Sequence, residues 1–266
     1  MTVRIEKQGA VTTVIHSRPQ ARNAMDPESA EALCDAFLAF DADPEASVAV
    51  FWGEGGAFCA GWDLKYASAL EGQADPLAAL AFPDGDGPVP RGPMGPSRLA
   101  LSKPVIAAVA GPAVAGGFEL ALWCDLRVME ESAYFGVYCR RWGIPLIDGG
   151  TVRLPRLVGE GRALEIILTG RKVPADEAYR IGACERVVAD GTARAAAEAL
   201  AQDIARYPQG CLRADRRSVQ LQHGLPVAEA LRAEWRNSAG MVVSEGLAGA
   251  ARFGSGKGRH GDFGEI

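Results

Sequence analysis

With 266 residues, 48% of them apolar and 23% charged, the chain is long enough to bury a sizeable core, as one domain with an appendage or as two small domains. Its 33 acids against 28 bases leave a net charge of −5, and Lys and Arg are scattered along the chain, which argues against nucleic acid as a partner. No uninterrupted run of about 18 apolar residues occurs and residues 1–8 lack an apolar leader core, so a cytoplasmic protein, neither exported nor membrane-spanning, is expected.

The β-branched, alternating runs at 3–6 and 11–15, separated by Lys7-Gln8-Gly9-Ala10, predict an N-terminal hairpin. Asp26-Pro27 reads as an N-cap followed by proline at the first helical position. Ala30, Leu33, Phe37 and Leu38 then follow at helical spacing, predicting a helix over about 27–41. Short apolar runs at 48–52, 105–109 and 126–129 read as buried strands, the first ending in Gly53-Glu54-Gly55-Gly56 and the second at Gly111-Pro112. Strands leading through loops into helical sequence predict an α/β arrangement with helix-covered sheets, and place site groups on the loops after the strands. The segment 83–96 is dense in proline and glycine and reads as a mobile loop or lid. Beyond Val187-Val188 the pattern turns helical, over 192–206, about 226–238 and about 240–252, which suggests a core at 1–190 and a helical region at 191–266. The stretch 254–264 is glycine-rich and basic, and no internal repeat is visible. The six cysteines (34, 59, 124, 139, 184 and 211) form no C-x-x-C pair, so no metal site is expected and reduced, mostly buried thiols are.

Three segments carry chemistry. They are Ser17-Arg18-Pro19-Gln20-Ala21-Arg22-Asn23-Ala24-Met25, then Ala57-Phe58-Cys59-Ala60-Gly61-Trp62-Asp63-Leu64-Lys65, then 113–127 with Gly116-Gly117-Phe118-Glu119-Leu120 and Cys124-Asp125-Leu126-Arg127. In order, spacing and residue type they resemble the crotonase (enoyl-CoA hydratase/isomerase) superfamily, with the likeness continuing through 155–159 and the Thr169-Gly170 region. The resemblance implies a crotonase-like spiral of repeated β-β-α units, with a C-terminal α-helical region that makes a homotrimer or a dimer of trimers. It also implies an acyl-coenzyme A substrate, coenzyme A being part of that substrate, and no tightly bound cofactor.

A thioester enolate needs two converging donors at its oxygen, and preorganised main-chain amides supply them. By resemblance these are the amides of Trp62 and Gly116, the latter at the positive end of the helix beginning near Gly117. On the residues alone, Gly116-Gly117 could equally serve tight packing of strand on helix. Glu119 matches the first of the two hydratase glutamates, although a carboxylate early in a helix also simply favours the dipole. The second glutamate is absent: Cys139 stands at its place, and a thiol with an ordinary pKa of about 8.5 is mostly neutral and a weak acceptor. Asp148, in the loop that follows, is either a replacement acid or the N-cap of a helix starting near Gly149. For the coenzyme, the resemblance implies Arg22, Ala24, Ala60, Asp63, Leu64 and Lys65, with Lys257 and Arg259 as further phosphate contacts and Phe253 bordering the nucleotide. Trp62 and Trp142 read as acyl-pocket walls or as core tryptophans.

Other classes fit poorly. A G-x-G-x-x-G fingerprint beginning at Gly53 would need glycine where Phe58 stands, no G-x-S-x-G elbow occurs, and His16, His223 and His260 are not placed to act as a base. The expectation is an enoyl-CoA hydratase or isomerase working through Glu119. The alternatives are another enolate reaction, thioester hydrolysis or decarboxylation, and a catalytically weak binder of coenzyme A esters.

Overall fold

The computed structural model describes residues 2–258. In chain order the first half holds β1 (Val3–Gln8), β2 (Val11–His16), α1 (Pro27–Ala42), β3 (Val48–Gly53), α2 (Leu64–Ser68), β4 (Val105–Val109), β5 (Pro112–Val114), α3 (Gly116–Trp123), β6 (Leu126–Glu130) and β7 (Tyr134–Gly136). The second half holds α4 (Gly150–Val158), α5 (Glu160–Thr169), β8 (Lys172–Pro174), α6 (Ala175–Arg180), β9 (Arg186–Val188), α7 (Ala193–Ala205), α8 (Gln209–Leu221), α9 (Val227–Met241) and α10 (Leu247–Gly254).

The predicted hairpin forms: β1 and β2 are antiparallel, and Gly9 takes the turn at φ 58°. The remaining strands of the large sheet run parallel to β2 in the order β1-β2-β3-β4-β6-β9. Every residue of β2 and β4 is buried, as parallel strands covered on both faces require. A smaller sheet, β5-β7-β8, lies beside it. The chain repeats one path through both: β4 in the large sheet, β5 in the small one, then α3; β6, β7, then α4. After β3 the same step is abbreviated to the bridge Cys59↔Ala113 before α2. The result is a spiral of β-β-α units, the architecture that the resemblance implied.

Two apolar layers flank the large sheet. One packs α1 against it through Leu33, Phe37 and Phe51, in a core that continues to Phe118 and Leu120 of α3 beside the small sheet, all essentially without exposure. The other is α7, whose Ala193, Ala197 and Ala201 recur every four residues and lie flat on Val48, Val50, Ile106 and Ala108. Asp26 caps α1 as expected, its side chain accepting from Ser29 N at 2.9 Å.

Three sequence expectations need correction. Helix α8 stands where no helix was predicted; it is amphipathic, and of its residues only Ala214 is buried. In addition α9 continues to Met241 and joins α10 through one wide helical turn (Val242–Gly246), with no break near 238. The segment 83–96 is not one mobile lid either. Residues 81–89 are exposed, but 92–97 are all buried and closed by reciprocal Gly92–Gly95 backbone bonds of 3.1 and 2.9 Å.

Phe37 meets Phe51 and Trp123 edge-on at 5.4 and 4.9 Å between ring centres. Truncation to alanine leaves a cavity that this packed layer cannot close, so Phe37→Ala should cost about 3–5 kcal/mol in denaturant unfolding.

Candidate active site

The loop after β3 is held open from behind. Arg22 and Asn23 both adopt left-handed backbone, at φ 50° and 56°. The buried Asn23 side chain donates to Glu54 O (2.8 Å) and Ala57 O (2.7 Å) and accepts from Arg18 N (2.7 Å). Backbone bonds continue the cradle: Ala60 N to Arg22 O at 3.0 Å, Met25 N to Gly61 O and Asp63 N to Met25 O at 2.8 Å each. Because Met25 bonds to both neighbours of Trp62 in a parallel bridge, the Trp62 amide is directed the opposite way.

The second loop follows β5. Val114 N donates to Cys59 O (3.0 Å) and Ala115 N to Gly136 O (2.8 Å). Between them and α3, Ala115 is forced to φ 54°, ψ −126°, a conformation that costs a non-glycine residue about 1–3 kcal/mol. That twist sends the Gly116 amide away from the strand ladder. Among the described residues neither the Trp62 nor the Gly116 amide is given to a protein acceptor. The two loops touch through glycines: a Cβ at Gly117 would collide with Cys59 O, and one at Gly61 would lie 3.2 Å from Gly116 N.

Trp62 and Gly116 line a cavity of about 330 Å³ together with Glu119, Cys139 and Asp148. Glu119 stands in the first turn of α3, fully buried, but its partners come from elsewhere: Oε1 accepts from Asp148 N at 2.9 Å and Gly150 N at 2.8 Å. It thereby caps the N-terminus of α4 from a different helix. Burial, and after it the neighbouring Asp148 carboxylate, push the Glu119 pKa up to about 7. Gly150 makes room for this, since a Cβ there would lie 3.0 Å from Glu119 Oε1.

The capping role considered for Asp148 is not observed. Gly149, at φ 98°, is the cap residue of α4 and has no side chain with which to cap it. Asp148 Oδ1 is directed to the 92–97 turn, accepting from Met94 N (3.0 Å) and from Ser97 Oγ in a short bond. Burial raises its pKa, while the bonds from Ser97 and Met94 act against that rise. Cys139 is also buried, and desolvation followed by the Glu119 charge raises its pKa, so its thiol stays neutral beside the acids.

The residues assigned to the coenzyme separate into two kinds. Asp63 is engaged within the protein: its side chain caps α2 at Lys65 N (3.0 Å) and Tyr66 N (3.3 Å) and pairs with Arg18 at 3.1 Å. Arg18, which also pairs with Asp26 at 3.1 Å and donates to Ala24 O, thus ties the first motif to the second. Ala60 and Leu64 line the cavity, whereas Arg22 and Lys65 form no ion pair among the described residues. Phe253 and Lys257 are exposed, and Arg259 lies outside the described residues. Trp62 and Trp142 both border the cavity, and Trp142 at 66% exposure is a rim residue, not a core one. His16 is wholly buried, pushed down to about 4 by burial, and does not border the cavity. Among the described residues no cluster of three or more His, Cys, Asp or Glu could hold a metal ion, and no helix is long and apolar enough to cross a membrane.

Sequence reading missed Met94, Ser97 and Arg153. The first two sit in the proline-glycine segment, where nothing in the local pattern marks one buried turn among exposed residues. Arg153 Nη1 donates to Asp148 O (2.8 Å) and Nη2 to Ser97 O (2.7 Å), joining that turn to the Asp148 loop.

Residues 6–247 match the sequence profile of the family described as enoyl-CoA hydratase/isomerase. The chain is 37% identical over 235 residues to the enoyl-CoA hydratase EchA19 of Mycobacterium tuberculosis, covering 86% of this chain and 84% of that protein. It is also 37% identical over 236 residues to the carnitinyl-CoA dehydratase of Salmonella typhimurium, covering 87% and 85%. Among solved structures, an enoyl-CoA hydratase from Mycobacterium tuberculosis superposes with a TM-score of 0.85 at 32% identity, over 96% of each chain.

A carboxyl group whose pKa is raised on folding stabilises the native state most below its unfolded pKa, and that stabilisation is lost as pH rises through the folded value. Glu119 should therefore make the folded protein less stable between about pH 5 and pH 8. Denaturant titrations across this window should show a slope that is reduced in Glu119→Gln, and an unchanged slope would remove Glu119 as its source.

Proposed function

Since the chain belongs to the enoyl-CoA hydratase/isomerase family, we propose that it binds a 2-enoyl-coenzyme A thioester with the carbonyl oxygen between the amides of Trp62 and Gly116, and adds or removes water across the adjoining double bond. The observation that carries this reading is the pair of unspent amides on the same cavity as the buried Glu119. Enolate charge developing on the thioester oxygen meets two fixed donors in a largely apolar enclosure, where each contributes a few kcal/mol. Both donors are main-chain groups on tightly held loops, so little reorganisation accompanies the reaction.

Glu119 acts as the base that takes a proton from water attacking the β carbon, and returns it in the dehydration direction. Its pKa near 7 suits it to both roles. Asp148 supplies the second acid, exchanging a proton at the α carbon in place of the glutamate that Cys139 replaces. Arg22 and Lys65 meet the coenzyme phosphates, and Ala24, Ala60, Asp63 and Leu64 shape its cleft. The exposed apolar residues of α9 and α10, among them Trp235 and Leu247, support assembly as a homotrimer or a dimer of trimers.

Cys139 favours a second reading. With an apolar wall where an acid would hold water, Glu119 and Asp148 move a proton between the α and γ carbons and the enzyme shifts a 3-enoyl double bond. Turnover of 2-enoyl against 3-enoyl thioesters separates the two.

On either reading Glu119→Gln should lower kcat about 10²–10⁴-fold with KM changed only a few-fold. For hydration, kcat/KM should rise with pH through about 7 as Glu119 ionises. Asp148→Asn should lower kcat at least tenfold, and an unaltered rate and pH profile would remove Asp148 from the chemistry. Full activity of Glu119→Gln would overturn the mechanism.

A further inference from the structure

Arg153 is a half-buried cation that pairs with no carboxylate among the described residues. Its fork is taken up by two carbonyls from different segments, Ser97 O at 2.7 Å and Asp148 O at 2.8 Å. Those segments are the two halves of the Asp148 environment: Ser97 Oγ and Met94 N bond its carboxylate, and the Asp148 main chain precedes α4. The backbone is shaped to admit the guanidinium, because a Cβ at Gly149 would collide with Arg153 Nη1. The next residue, Gly150, gives the same clearance to Glu119.

We propose that Arg153 is the positioning residue of the acid pair: it clamps the Asp148 loop to the 92–97 turn and, anchored on neutral carbonyls, leaves its positive charge to act on Glu119 and Asp148 together. The inference rests on the reading of Glu119 and Asp148 given above. An Arg paired with its own carboxylate would have its field cancelled locally; one held by carbonyls keeps it. The charge stands in a crowded setting. Glu119 faces Asp148 and Arg153 and is itself faced by Cys139; Asp148 faces Arg98 and Arg153 and is faced by Cys59; Arg153 is flanked by Arg156 and Cys124. Arg98 donates to Leu80 O and Arg91 O, bonds that lead away from the acids, so Arg153 is the cation whose own hydrogen bonds hold the acid loop.

The test compares wild type, Arg153→Gln and Arg153→Lys in two measurements. One is the carboxyl titration of the ligand-free protein by ¹³C NMR, with Glu119→Gln and Asp148→Asn for assignment; the other is the pH dependence of kcat and KM on 2-enoyl and 3-enoyl thioesters. Arg153→Gln should move the acid pair's titration upward by about one unit and lower kcat at least tenfold with KM changed less than threefold. Arg153→Lys restores charge without the two-pronged fork, so it should return the titration to the wild-type position while recovering only part of kcat. An unmoved titration in folded Arg153→Gln overturns the proposal. Should that variant fail to fold, Arg153→Lys decides alone, and a shifted titration or an undiminished kcat overturns it. If the wild type turned over no thioester while the Arg153→Gln shift appeared, the proposed function would fall and the role of Arg153 on the acid pair would stand.

Discussion

Everything in this site depends on two backbone segments lying against each other closely enough that neither can carry side chains at the contact. Cys59 O meets the face of Gly117, and the Gly61 backbone packs on Gly116. At that distance the amides of Trp62 and Gly116 border the same cavity, while those of Asp63 and Ala115 are bonded away, to Met25 O and Gly136 O. Leaving two N–H groups without protein acceptors costs about 1–3 kcal/mol each where water is excluded, and the twist at Ala115 adds to that. The parallel bridge to Met25, the Asn23 side chain and the packed aromatic layer beneath hold the arrangement against its own strain.

The acids follow a related logic. Glu119 does not spend its charge on its own helix; it is held at the start of α4 by two amides, one of them that of the residue bearing the second carboxylate. The two carboxyl groups are thus bound into a single element, and burial resists ionising both at once. Arg153, fixed by main-chain carbonyls, is the counterweight within that element.

The chain belongs to the enoyl-CoA hydratase/isomerase family, and its cavity sets Cys139 beside Glu119 and Asp148. A buried neutral thiol takes up little space, offers no negative charge and cannot orient water as a carboxylate does. Asp148 is brought by the fold to the same cavity from the following loop. Two unspent amides, two buried carboxyl groups and a neutral thiol on one cavity give this site its particular character.

What the sequence by itself determined was everything written in local period and local turn chemistry. The hairpin at Gly9, the Asp26 cap, the buried strands and the two glycine loops flanking Cys59 and Gly116 all follow from residues within a few positions of one another. What only the tertiary structure decided were pairings between distant segments. Asp148 is within reach of its own helix start, yet its carboxylate goes to Ser97, 51 residues away. Glu119 then takes the cap from 31 residues away. The same holds for 92–97, whose composition says only that no regular element can form. A side chain's choice among competing partners depends on which of them the fold brings near and which it buries, and no local pattern records that.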